Sequence, residues 1–280
     1  MRELQRSIYT AIGAKGLSGQ ARAQLAELLR RSAGTVSPAQ AARILQLPPD
    51  KTAKLLARWA SQGWLARVRR GLYVPVPLEA QTPDVALEDA WLVAERLFAP
   101  CYIGGWSAAE HWGLTEQIFR TLMVFTTRKP RDRAPVLRRT SFQLRTVREQ
   151  ALFGLKPVWR GQVRVNVSDP SRTLADLLAD PALGGGLRAM VDVLRAYLDS
   201  KEFRNLKLLL EYAERLENGA VFKRLGYLLE RYAPIETDAI AFCRARLSQG
   251  NAKLDPVLPP KKLATAWRLW LPEGWERVTP

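Results

Sequence analysis

The sequence is poor in the residues that enzymes most often use for acid–base and metal chemistry. It has one histidine, His111, which excludes a metal site built on several histidines, and no nearby pattern supplies the nucleophile and orienting acid of a triad. Three segments expected to be strands, residues 121–127, 142–147 and 163–168, contain no carboxylate, so a nuclease-like or nucleotidyltransferase-like acidic cluster is not favoured. We therefore expect no enzyme, no cofactor and no bound metal.

Cysteine and long apolar segments are also scarce. Cys101 and Cys243 are too few and too far apart for a disulfide framework, as is typical of a reducing cytosol, and both are expected to fill apolar cores. No uncharged apolar run approaches the ~18 to 20 residues of a membrane span, and residues 1–10 carry charges where a signal peptide needs an apolar segment. We therefore expect a cytoplasmic protein that does not bind membranes.

Positive charge is abundant and unevenly distributed. The chain carries 43 Lys and Arg against 27 Asp and Glu, a net charge of +16. Residues 1–75 hold 13 of these cations and 3 of the acids, so the N-terminal end is far more basic than the rest. Basic side chains gain free energy by displacing the counterions condensed on a polyanion. The distribution therefore predicts a nucleic-acid partner for the N-terminal end.

Three predicted helices follow one another near the N-terminus. The first covers residues 19–31, the second begins at Ser37 and the proline after it, and the third covers residues 51–63 with Asp50 as its cap. About four residues separate the second helix from the third, which is the spacing of a helix-turn-helix. The predicted inward face of the third helix consists of Ala53, Leu56, Trp59 and Ala60.

A basic hairpin is predicted directly after the third helix. Residues 64–76, WLARVRRGLYVPV, alternate as a strand, turn at Arg69-Arg70-Gly71 and return as a second strand. A two-stranded hairpin in this position is the wing of a winged helix-turn-helix. The N-terminal segment is therefore predicted to be a winged helix-turn-helix that binds double-stranded DNA.

The predicted DNA contacts follow from this geometry. The third helix presents a polar face opposite its apolar stripe, and a helix of that width fits the major groove. Thr52 and Lys54 are expected to read bases, while Arg58 contacts either bases or phosphates, and the arginines of the wing contact phosphates or enter the minor groove. The predicted set is Lys51, Thr52, Lys54, Arg58, Arg67, Arg69 and Arg70. Two alternatives stay open, a charged face that is merely solvated and a winged helix that binds a protein.

A second domain is expected after a proline-containing linker. The predicted boundaries are residues 1–77 for the winged helix-turn-helix, 78–84 for the linker and 85–280 for a larger α+β domain. The strands of the larger domain cluster between Cys101 and Val167 in a mixed sheet, and mostly helical sequence follows from Leu187 as a covering layer. The overall fold class is therefore α+β.

The larger domain contains one strongly basic stretch. Between residues 128 and 148 there are eight basic residues, against Asp132 as the one acid. The stretch is interpreted either as a second phosphate-binding surface or as a solvated loop, and the sequence does not decide between them. The eight are Arg128, Lys129, Arg131, Arg133, Arg138, Arg139, Arg145 and Arg148, of which the first six form the candidate surface.

The order of several local strings resembles that of the AbiEi-type antitoxins, the repressor halves of type IV toxin–antitoxin and abortive-infection operons that act in phage defence. No single string is diagnostic, but the resemblance runs over nearly the whole chain. The strings are WLARVRRGLYV, YIGGWSAAEHWGLTEQ, MVFTT with the basic residues after it, VSDPSRTLADLLADPALGGG, NGAVFKRLGYLLE and LDP.

The resemblance implies a specific function. It implies an antitoxin that represses its own operon by binding inverted repeats in the promoter and that counters a nucleotidyltransferase-like toxin without needing a stable complex with it. The N-terminal domain would bind DNA, and the C-terminal domain would be needed for antitoxicity. Arg224, Leu225 and Gly226 are the first candidates there for a structural or functional role, with helix packing the favoured explanation.

Overall fold

The computed structural model describes residues 17–77, 80 and 87–275. The predicted linker at residues 78–84 therefore lies, apart from Ala80, outside the described residues. The chain divides into two compact units, the first within Met1–Ala99, Arg131–Gln143 and Trp159–Val165, and the second within Pro100–Pro130, Leu144–Val158 and Asn166–Pro280. The first unit thus contains three segments from the predicted larger domain, up to Ala99, Arg131–Gln143 and Trp159–Val165.

The N-terminal module consists of three helices and a hairpin, as predicted. Ser18 caps the first helix by accepting a hydrogen bond from the Ala21 N–H, and Ser37 caps the second in the same way from Gln40. The third helix begins with Pro49, and Asp50 lies in its first turn without capping it, which corrects the expected cap. The elements are α1 (Gly19–Ser32), α2 (Pro38–Leu45), α3 (Pro49–Ser61), β1 (Leu65–Arg69) and β2 (Leu72–Pro75).

The hairpin and the helices of this module share one core. β1 and β2 pair antiparallel, and Val36, which precedes α2, forms two backbone hydrogen bonds with Tyr73 of β2. Leu28, Leu56 and Trp59 are fully buried beneath them. Exposing such a side chain to water would cost roughly 1.5–3 kcal/mol of transfer free energy. Their burial therefore holds α3 against the hairpin.

A mixed six-stranded sheet follows, in the order β5-β6-β4-β3-β8-β7. β3 pairs antiparallel with β4 and parallel with β8, so the predicted mixed sheet and the α+β class with an N-terminal region like a helix-turn-helix are confirmed. Its strands are β3 (Cys101–Ile103), β4 (Thr121–Thr126), β5 (Val136–Leu137), β6 (Thr140–Thr146), β7 (Leu155–Arg160) and β8 (Val163–Ser168).

The remaining helices divide between the two units, and those from residue 105 onward surround a second core. The first helix after the predicted linker begins at Ala90, because Asp89 caps it by accepting from the N–H groups of Trp91 and Leu92. Cys101 and Cys243 are buried, as predicted, and neither is in a disulfide, and burial raises the pKa of the Cys243 thiol to about 12. The helices are α4 (Ala90–Phe98), α5 (Gly105–His111), α6 (Pro170–Ala179), α7 (Leu187–Asp199), α8 (Leu206–Arg215), α9 (Gly219–Tyr232) and α10 (Thr237–Ala245).

A three-stranded sheet closes the described chain and departs from the helical layer expected there. Its order is β10-β11-β9, with β10 and β11 antiparallel and β9 parallel to β11. The strands are short and carry proline at their ends, which hides the period-two pattern of a strand. They are β9 (Ala252–Lys253), β10 (Pro260–Ala264) and β11 (Leu269–Pro272).

The KRLG string on α9 is explained by packing, the interpretation that the sequence favoured. Arg224 is buried, with its Nη1 donating to the carbonyls of Leu178 and Ala179 and its Nε and Nη2 donating to that of Lys253. Gly226 lies against the ring of Trp267. The string therefore joins α9 to α6 and to the C-terminal sheet.

Gly226→Ala is expected to lower the free energy of unfolding by about 1–3 kcal/mol, as overpacking of a core does. A Cβ atom at this position would lie 2.0 Å from Cζ3 of Trp267. Denaturant unfolding of the two proteins measures the difference. Gly19→Ala is the matched control, because nothing lies within 4 Å of a Cβ there. Equal stability of wild type and Gly226→Ala would show that the Trp267 ring is not fixed against α9.

Candidate nucleic-acid interface

Helix α3 has one buried and one exposed face. Thr52, Leu56 and Trp59 are fully buried, a spacing of four and then three residues. Lys51, Lys54 and Arg58 are exposed on the opposite side. None of these three cations pairs with a carboxylate of the described residues, so their charge is directed outward.

Thr52 does not lie on the exposed face, which corrects its expected role in reading bases. Its side chain is fully buried, and its Oγ1 donates to the carbonyl of Pro48 at 3.0 Å. A hydroxyl that bonds the carbonyl four residues earlier is turned back along its own helix. The inward stripe therefore runs through Thr52 rather than through Ala53, which is exposed.

Few acids oppose these cations within the module. Residues 17–77 contain Glu27 and Asp50 as their acidic residues. Glu27 is bound by Arg30 and by Arg31, the latter at 3.4 Å on the same helix. Asp50 lies in the first turn of α3, where a negative charge interacts favourably with the helix dipole. The exposed face of α3 is therefore cationic over most of its length.

The turn of the wing is exposed and basic. Arg67, Arg69 and Arg70 are exposed, and none of them forms an ion pair with the described residues. Gly71 adopts φ 80°, a left-handed conformation that allows the chain to reverse tightly. The pairing of β1 and β2 shifts between Arg67 and Arg69, and such an irregularity redirects a strand's side chains. The hairpin thus presents three guanidinium groups to solvent.

The second basic stretch is divided between the two units. In the first unit Arg131, Arg133 and Arg139 are exposed and Arg138 is half-buried. In the second unit Arg128 and Lys129 are exposed, while Arg145 is paired with Asp180 at 2.5 Å. Five of the six residues of the candidate second surface are thus exposed, whereas Nε and Nη2 of Arg138 are buried, and whether the six bind phosphate stays a prediction.

The described residues show no group suited to metal chemistry. No cluster of three or more His, Cys, Asp or Glu in residues 17–77, 80 and 87–275 has the geometry to hold a metal ion. His111 is exposed at the end of α5 with its ring 4.6 Å from that of Trp112. Within the same residues, no helix has both the length and the apolar character needed to cross a bilayer.

The N-terminal module matches a known family. Residues 23–76 match the family described as transcriptional regulator, AbiEi antitoxin. The N-terminal module is therefore similar to that of the AbiEi-type antitoxin regulators. The matched residues contain α3 and the whole wing, so the AbiEi-type stretch includes every cation of the predicted DNA contact set. No curated protein matches the chain.

The match confirms the resemblance for the N-terminal module. It does not reach the strings after residue 76, so their resemblance to the AbiEi-type antitoxins stays a prediction. The family is described as an antitoxin and a regulator of transcription. Lys51, Lys54, Arg58 and the three arginines of the wing lie on the surface, as predicted, whereas Thr52 does not. The sequence signal for an inward Thr52 was its spacing of four and seven residues from Leu56 and Trp59, once its methyl group is counted as apolar.

Proposed function

We propose that this AbiEi-type regulator represses its own operon by binding inverted repeats in the promoter through α3 and the wing, and that it counters a nucleotidyltransferase-like toxin. The observation that carries the DNA-binding part is the unpaired cationic face of α3 together with the basic turn of the wing. The toxin and its class rest on what the resemblance of the sequence to the AbiEi-type antitoxins implies, and the cytoplasmic location rests on the scarcity of cysteine and of long apolar segments.

In the proposed complex α3 lies in the major groove. Lys54 and Arg58 are four residues apart on its exposed face, so both reach the groove when the buried face of α3 stays in the core. Lys51, near the N-terminal end of the helix, contacts a flanking phosphate. The wing contacts the adjacent backbone or the minor groove through its three arginines. Their charges supply affinity, and base contacts from α3 supply specificity.

A protein partner for the same face is less well supported. Interfaces between proteins are depleted in charge at their centre and rely on buried aromatic or apolar anchors. The exposed face of α3 offers Lys51, Lys54 and Arg58, while its aromatic residue, Trp59, is fully buried. The same chemistry suits a polyanion, whose condensed counterions are released on binding.

Lys54→Ala and Arg58→Ala are each expected to weaken binding to the protein's own upstream DNA by about 1–3 kcal/mol if the side chain reads a base, and by less and uniformly across sequences if it contacts phosphate. Both side chains are exposed, so the fold should not change. Fluorescence anisotropy with the upstream duplex, repeated at several salt concentrations and with a scrambled duplex, measures both effects.

The matched control is Lys207→Ala, which removes one exposed cation from α8 of the second unit. It should leave the affinity for the upstream duplex nearly unchanged. If Lys54→Ala and Arg58→Ala behaved like this control, or if the upstream and scrambled duplexes bound equally well, α3 would not be the element that reads the operator.

A further inference from the structure

Arg96 lies on α4, beyond the predicted linker, and yet reaches the helix-turn-helix. Its Nη2 donates to the Oγ of Ser37 at 3.2 Å, and Ser37 caps α2. One turn earlier on α4, Leu92 lies against the connector before α2, since its Cδ1 is 2.7 Å from where a Cβ atom on Gly34 would be. All four residues belong to the first unit. Two contacts four residues apart therefore hold α4 along this connector, with Arg96 at the start of α2.

The start of α2 lies at the same end of the hairpin as the turn of the wing. Val36 pairs antiparallel with Tyr73 of β2, through backbone hydrogen bonds of 2.8 and 2.9 Å. β2 runs away from the turn, so the chain at Val36 runs toward it. Ser37 is still extended, with φ −105° and ψ 153°, and therefore lies opposite Leu72, the first residue of β2. Paired strands are about 5 Å apart, so Ser37 and Arg96 lie beside the base of the turn.

The described residues do not balance the charge of Arg96. It is exposed and forms no ion pair with them. α2 has no acid in its first turn, although the N-terminal end of a helix carries the positive pole of the helix dipole. A cation held at that pole is unfavourable, and an anion supplied from outside would remove the repulsion. The hydrogen bond to Ser37 uses one of the five N–H donors of the guanidinium group, so the group keeps donors for such an anion.

A phosphate of duplex DNA is the anion that this position favours. The turn of the wing beside it carries Arg69 and Arg70, both exposed, so the cations form one open surface rather than an enclosed site for a small ion. A duplex that lies against the turn extends past it, because each strand carries a phosphate about every 3.4 Å along the helix axis. The planar guanidinium of Arg96 suits a phosphate, which it can bind through two parallel N–H donors.

We propose that Arg96 binds a phosphate of the DNA backbone next to the segment contacted by the wing. This inference rests on the proposed DNA-binding function and adds a contact to it. Arg96 lies outside residues 23–76, which match the AbiEi family, and beyond the linker that was expected to end the DNA-binding domain. The DNA-binding surface therefore extends from the winged helix-turn-helix into α4.

Arg96→Gln in the full-length chain removes the charge and keeps a donor for Ser37. Binding to the upstream duplex and to a scrambled duplex should each weaken about fivefold near physiological salt, because a phosphate contact does not depend on sequence. The slope of log affinity against log salt should fall by about 1. Arg96→Lys keeps the charge and should keep the slope. Arg188→Gln removes an exposed arginine from the second unit and, as the matched control, should change neither quantity.

Ser37→Asp separates a DNA contact from a structural role of Arg96. Aspartate also caps a helix, interacts favourably with the dipole of α2 and can pair with Arg96, so the melting temperature should stay the same or rise by about 2 °C. Its charge should nevertheless lower the affinity for both duplexes at least as much as Arg96→Gln does. A Ser37→Asp protein that folds stably and binds both duplexes like wild type would overturn the inference, because this position would then lie away from the backbone.

The salt slope decides the remaining outcomes. An unchanged slope in Arg96→Gln would overturn the inference whether or not the melting temperature falls, and so would an equal fall of the slope in Arg188→Gln. If Lys54→Ala weakens binding to the upstream duplex while Arg96→Gln does not, α3 still reads the operator and the contact of Arg96 alone is wrong. If Lys54→Ala binds like wild type while Arg96→Gln lowers the slope, the contact stands and the proposed role of α3 is wrong.

Discussion

Replacing Arg67, Arg69 and Arg70 together by alanine is expected to lower the affinity for the upstream duplex about a hundredfold near physiological salt, and to reduce the slope of log affinity against log salt by roughly 3. The three side chains are exposed and have no ion-pair partner among the described residues, so their removal should not change the melting temperature. Anisotropy titrations at four or more salt concentrations give both quantities.

The triple lysine variant separates the two ways in which the wing can bind. Lysine keeps the charge but lacks the planar fork of arginine, so contacts to phosphate should largely persist while insertion into the minor groove should be lost. A control that replaces Arg188, Lys201 and Lys207 by alanine removes the same charge from exposed positions of the second unit. Unchanged binding in the wing triple alanine variant would show that this hairpin does not contact DNA.

Local sequence signals predicted most of the N-terminal module. Ser37 followed by proline marked the start of α2, because the hydroxyl satisfies a free N–H and the ring has no N–H to satisfy. Gly71 between arginines marked the turn of the wing, because a tight reversal needs positive φ. These signals involve residues close in sequence, so they can be recognised without knowledge of tertiary contacts.

The inward face of α3 was harder to predict, because a polar residue belongs to it. Thr52 has a methyl group that packs inward and a hydroxyl that bonds to the preceding turn at Pro48. Hydropathy alone favoured Ala53, one position later, and a shift of one residue turns a helix face by about 100°. The cations at 51, 54 and 58 stayed on the exposed side because, at 100° per residue, they lie within one arc of about 60° opposite Leu56.

The interior of the second unit could not be predicted from local patterns. In the string SDPSRTLADLL the segment from Pro170 to Leu178 is buried on all sides, although it contains Arg172 and Asp176. The partners that make this burial tolerable come from distant strands and loops, among them Tyr102 and Phe153. Charged residues in a helix normally indicate a solvent-exposed face, so the sequence gives no sign of this network.

Arg172→Met is expected to lower the free energy of unfolding by about 3–5 kcal/mol, because it leaves buried polar groups without their partner. Arg172 is almost fully buried, and its guanidinium donates to Asp176 at 3.0 Å and to the carbonyls of Ala151 and Phe153 at 2.8 Å. Methionine fills a similar volume but satisfies none of these acceptors. Urea unfolding followed by circular dichroism measures the loss.

The loss should also depend on pH, in a direction set by Asp176. Burial raises the pKa of Asp176 above its usual range, while the Arg172 guanidinium opposes that rise, so the pKa should rise further in Arg172→Met. A carboxyl whose pKa is higher in the folded than in the unfolded state contributes its stability at low pH and loses it as the pH rises through the folded pKa. Arg172→Met should therefore be less destabilised at pH 5 than at pH 8. Adding Asp176→Leu removes the uncompensated charge, so the double variant should recover part of the stability and lose the difference between the two pH values. If Arg172→Met alone lost the same stability at pH 5 and at pH 8, a buried ion pair between Arg172 and Asp176 would be contradicted.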